Sequence, residues 1–145
     1  MSAYDHNPFK AAQSEWQAAY GIARTVLTLA RENEDGRLTY SDLWQFYRGE
    51  PAPQGQWWLR VLSPHLNQLA HACAALKLPY LNALIVRKGS RRDHSLAAIK
   101  NMWEFAQANN IAVGNDPRVF AQEQAEKSAA LALRELDEAF GQITI

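Results

Sequence analysis

A single cysteine, Cys73, is all the chain has for sulfur chemistry, so no internal disulfide can form and a reducing, cytoplasmic setting is expected. No apolar run approaches the roughly 18 residues of a membrane span. The longest, Leu81 to Val86, is interrupted by Asn82, so no membrane partner is expected. The opening residues, Met1 to Pro8, carry neither a basic nor an apolar leader segment, and no secretory signal is expected from them. Seven glycines form no Gly-x-Gly-x-x-Gly and no phosphate loop. A serine-hydrolase elbow is missing too. His6, His65, His71 and His94 stand at no i, i+4 spacing to one another, and no cysteine pair exists to complete a zinc centre. A metal, a cofactor and catalysis are therefore not expected.

Net charge is absent as well: 15 basic side chains balance 15 acidic ones in 145 residues. The balance is uneven along the chain. Residues 1–55 carry five basic and seven acidic side chains, 56–100 carry seven basic against Asp93 alone, and 101–145 carry three against seven. The zero total excludes a uniformly basic protein, and leaves a basic middle that faces either its own acidic ends or an anionic partner.

What the chain does have is aromatic content, 15 Trp, Tyr and Phe residues, and long helical periodicities. Such a composition can offset the entropy of ordering and argues for one globular domain over 1–145. Phe9, Ala12, Trp16, Ala19, Ala23, Val26, Leu27 and Ala30 repeat at three-and-four spacing, which predicts a long N-terminal helix over 9–33. Gly36 is placed to close it. Thr39-Tyr40-Ser41-Asp42 reads as a capping box, opening a short helix that points Leu43, Phe46 and Tyr47 inward. The stretch 49–55, with two prolines and two glycines, is a linker. A short helix from Trp57 to Leu62 is followed by a restart at Ser63-Pro64. Leu62, Leu66, Leu69, Cys73 and Leu76 then form a stripe that must stop by Leu78, before Pro79. On that stripe Cys73 reads as a small buried hydrophobe.

Residues 81–87 give the one clear strand, with Lys88-Gly89-Ser90 as its turn and Ile111-Ala112-Val113 as its expected partner. A C-terminal helical pair over 93–141 follows. Asp93 or Ser95 caps its first helix, and Asp116-Pro117 starts a last helix running to Gly141. The fold class expected is mainly α (α+β): five or six helices with a small two-stranded β element. Residues 40–92 have the order of a helix-turn-helix followed by a basic wing.

The functional candidates follow from that order. Arg87, Lys88, Arg91, Arg92 and Lys100 gather five fixed positive charges around a projecting turn, where they can neutralise phosphates independently of sequence. The helix from Pro64 to Lys77 occupies the recognition position and offers Asn67, Gln68 and His71 to base edges. A non-enzymatic module binding nucleic acid, or an acidic protein surface, is the expectation. A homodimer is open as a further partner. The alternatives are a small enzyme whose site only folding assembles, and a protein–protein inhibitor or adaptor. The inhibitor or adaptor would act through Trp58 of the Trp57-Trp58 pair and the acidic last helix, with Glu135, Asp137 and Glu138.

Thr39-Tyr40-Ser41-Asp42-Leu43 together with Leu78-Pro79-Tyr80-Leu81-Asn82-Ala83-Leu84-Ile85-Val86 resembles a pattern of small uncharacterised bacterial and phage-associated proteins. These combine a Thr-Tyr-x-x-Leu helix with a Leu-Pro-x-Leu-x-x-Leu-Val-Val strand. The resemblance implies a compact α-rich domain and no known activity. Here Gly89 leads into Ser90-Arg91-Arg92, where the pattern tends to a glycine and proline turn.

Overall fold

A computed structural model describes residues 13–55, 57–88 and 93–141. Six α-helices are present among them: α1 (Gln13–Arg31), α2 (Tyr40–Arg48), α3 (Leu59–Ala75), α4 (Leu96–Ala108), α5 (Pro117–Ala130) and α6 (Leu133–Gly141). Two short strands, β1 (Leu38–Thr39) and β2 (Ile85–Val86), pair in parallel. The protein is thus mainly helical with a small two-stranded sheet.

α1 is the hub. Its apolar stripe, from Trp16 through Ala23 and Leu27 to Ala30, is buried, and α2, α3, α5, α6 and the segment before β2 all pack on it. The stripe ends where Asn33 turns its amide back to the carbonyls of Leu29 and Arg37, at 3.2 and 2.9 Å. Gly36, at φ +68°, then reverses the chain into β1. Thr39 Oγ1 accepts from Asp42 N at 3.1 Å and Asp42 Oδ2 accepts from Thr39 N at 2.9 Å, so the capping box forms with aspartate in the usual glutamate place. The inward face of α2 is Leu43 and Trp44, while Phe46 and Tyr47 are exposed. The expectation had Phe46 and Tyr47 inside; instead Trp44 joins Trp58 in an edge-on contact at 5.5 Å.

α3 runs without a break from Leu59 through Pro64. The expected restart at Ser63 does not occur, because Ser63 Oγ donates to the Leu59 carbonyl at 2.9 Å within the continuing helix. Both α3 and α4 close by the same device. Leu78 N donates to Cys73 O, and Ile111 N to Ala106 O, each at 2.9 Å, across Lys77 and Asn110 in the left-handed region.

That closure explains why 111–113 is not a strand. The Ile111 amide is already committed to α4, and the partner of β2 is β1, with Leu38 opposite Ile85 and Thr39 opposite Val86. Residues 81–84, expected as strand, form a 3-10 turn, with Ala83 N donating to Tyr80 O at 2.9 Å. The last helix also divides. Leu131 is extended, buried, and gives its carbonyl to the Arg31 guanidinium. The break swings α6 so that Leu136 and Phe140 pack on α1, with Phe140 edge-on to Trp16 at 6.2 Å. A smaller cluster of Met102, Ala106, Phe120, Ala121 and Ala125 joins α4 to α5.

Candidate nucleic-acid interface

Parallel pairing of β1 and β2 sets the turn before Leu38 beside the residue before Ile85, and the chain leaving Val86 beside Tyr40, one at each end of a two-residue ladder. Around that junction lies a cleft of about 460 Å³, lined by Arg37, Asp93, His94 and Arg118 among others. Arg87 and Lys88 follow β2 and are exposed. The Arg87 amide donates to the Asp93 carbonyl at 2.8 Å. Arg91 and Arg92, with Gly89 and Ser90, lie outside the described residues.

The two carboxylates in the cleft also serve local amides. Asp35 Oδ1 accepts from Arg37 N at 3.0 Å, and Asp93 Oδ1 from His94 N at 2.8 Å. Arg37 Nη1 donates to the carbonyls of Asp35 and Gly36 at 3.3 and 3.2 Å. His94 Nε2 sits 2.6 Å from the Ala83 carbonyl, so that nitrogen carries the proton. Arg87, Lys88 and Arg118 have no ion-pair partner among the described residues.

The acidic C-terminal helix is engaged elsewhere. Asp137 accepts from the Tyr20 hydroxyl at 2.7 Å and pairs with Arg24 at 3.2 Å, both on α1. The Tyr20 hydrogen bond and the Asp137 charge together raise the Arg24 guanidinium above its usual value. Glu138 pairs with Arg134 at 3.8 Å, and Glu135 accepts from Ala132 N at 3.4 Å. Among the described residues, α6 thus directs its Asp137 to α1.

No family model, curated protein or solved structure matches the chain.

The remaining sequence candidates are dispersed. Lys100 is exposed on α4 and pairs with Glu104 at 3.8 Å. Asn67 is exposed on α3 and lines a second cavity, between α3 and α4, rather than the basic cleft. Gln68 and His71 are half-buried, with His71 edge-on to Phe105 of α4 at 5.0 Å. α4 gives Ile99 to the basic cleft and Asn101 and Met102 to the other cavity, so it stands between the two. Trp58, expected on a partner surface, is 7% exposed, with its indole N–H held by the Gly55 carbonyl at 3.0 Å. The exposed indole is its neighbour Trp57, 57% exposed, because adjacent positions entering a helix diverge by about 100°.

Arg37 and Arg118 are the residues that sequence reasoning missed. They stand 50 and 31 positions from Arg87, and only the β1–β2 pairing and the packing of α5 bring them together. The Asp116-Pro117 helix start was the available signal, since it predicts Arg118 in the first turn of α5.

Proposed function

We propose that the protein is a non-enzymatic module that binds nucleic acid through Arg87, Lys88 and Arg118, together with Arg91 and Arg92 of the same sequence segment. One observation supports this reading: Arg37 before β1 and Arg118 of α5 line one cleft together with Val86, which the exposed Arg87 and Lys88 follow directly, while Asp137 of α6 is paired with Arg24 of α1. Cations in that setting displace phosphate counterions without reading sequence.

We read the order α2, linker, α3 and β2 as that of a helix-turn-helix with α3 in the recognition position, β2 pairing in parallel with β1 and not in a hairpin. Within that reading Asn67 is the exposed polar residue available to a base edge, and Gln68 and His71 serve packing instead. Small bacterial or phage regulators working in the cytoplasm fit this chemistry.

Mobility shift with duplex DNA separates the roles. Replacing Arg87, Lys88 and Arg118 together by alanine is expected to weaken binding to all sequences alike, and Asn67→Ala to change sequence preference more than affinity. Wild-type affinity in the triple variant overturns the reading.

A further inference from the structure

The cavity between α3 and α4, about 790 Å³, falls within the roughly 300–1,000 Å³ typical of small-ligand sites. Met102 and Ala70 at this cavity are buried, and the Tyr80 and Phe105 rings that line it lie 5.4 Å apart, tilted by 36°. Three asparagines, Asn67, Asn82 and Asn101, are among the lining residues, and Asn67 and Asn101 are exposed. Each amide has acceptor and donor side by side, the arrangement that pairs with a base edge.

Asn82 is committed to the fold, since its Nδ2 donates to the Leu66 carbonyl at 2.9 Å and its Oδ1 is buried out of reach of the space, which leaves Asn67 and Asn101 to a ligand. Among the described residues, Arg60 is the one charged side chain in the lining, and no carboxylate faces the space. Pro64, also at the rim, has no N–H to give the Arg60 carbonyl, which leaves a backbone acceptor there.

We propose that this cavity binds one nucleotide unit, with the base against Tyr80 and Phe105, its edge on the amides of Asn67 and Asn101 and its phosphate at Arg60. An aromatic surface satisfies the ring faces. The amides call for a ligand with both donors and acceptors, and a lone arginine without nearby carboxylates selects a phosphate-sized anion. The unit is free, or the unpaired end of a strand; the chemistry is the same. The cavity shares no lining residue with the basic cleft, and of the residues assigned to nucleic acid above it holds Asn67 alone, so this proposal does not rest on the cations of that cleft.

Titration calorimetry of the full chain with AMP, GMP, CMP, UMP and inorganic phosphate tests it. At least one nucleotide is expected to bind saturably, and phosphate alone is not. Arg60→Ala, at an exposed position, should weaken nucleotide binding by about tenfold while leaving the matching nucleoside unchanged. Ala97→Trp, an exposed change that fills the mouth, should abolish binding. Replacing Arg87 and Lys88 by alanine should leave nucleotide affinity intact. Displacement by a short single strand of the same base identifies a strand end as the source, and its absence identifies the free nucleotide. The proposal is overturned if none of the four binds saturably up to about 10 mM, or if phosphate binds equally. Indifference to Ala97→Trp, or loss of binding in the Arg87, Lys88 variant, also overturns it.

Discussion

Cys73 is fully buried against the chain around Leu81, and burial pushes its thiol up to about 12, against a smaller downward pull from a hydrogen bond with the Leu81 backbone. The folded state therefore holds this proton more tightly than the unfolded chain. The resulting stability is whole below the ordinary thiol value of 9.0 and is lost as pH rises toward about 12. Burial raises the Tyr80 and Tyr40 phenols in the same direction. Urea unfolding should show stability falling from about pH 9 upward, by about 1 kcal/mol per pH unit from the thiol alone. Cys73→Ala should flatten that fall; an unchanged alkaline slope would remove the thiol from the account. Thr39 offers a second test at this scale. Thr39→Ala deletes the side chain that caps the Asp42 amide and should cost about 1 kcal/mol in the same assay. No change in stability would mean that the capping box is not an energetic feature.

At the scale of elements, legibility in the sequence followed the range of the physics. Interactions within a few residues were readable: the Thr39 box, the Asp116 cap, Ser95 as one of two cap candidates, and the end of α3 all appear in the structure. Long-range choices were not. Nothing local says that β2 pairs with residues 38–39 instead of 111–113, or that Trp58 and not Trp57 enters the core. For the same reason Arg37 and Arg118 escaped notice, while Arg87 and Lys88 could be read directly from one segment. Pro64 is an intermediate case. Its chemistry predicts a break, yet packing of Leu62 and Leu69 on both sides carries the helix through it. Pro64→Ala should restore the hydrogen bond to the Arg60 carbonyl and stabilise the fold by about 1–3 kcal/mol. Destabilisation would show that the proline geometry is required by its neighbours.

The whole molecule turns a neutral total into separate electrostatic territories. α6 commits its Asp137 to Arg24 and Tyr20 of α1, leaving Arg87, Lys88 and Arg118 without an ion-pair partner among the described residues. Surface pairs such as Lys100 with Glu104 add little to stability, so the distribution bears on association more than on folding. The central claim is that these cations neutralise phosphates, and salt dependence reads that directly. Fluorescence anisotropy of a labelled duplex, measured from low to moderate salt, should give a log K that falls linearly with log salt. Replacing Arg87, Lys88, Arg91 and Arg92 by alanine should make the slope shallower by roughly 0.9 for each phosphate that the variant no longer neutralises. No binding at low salt, or the same affinity and slope in the variant, would contradict the account.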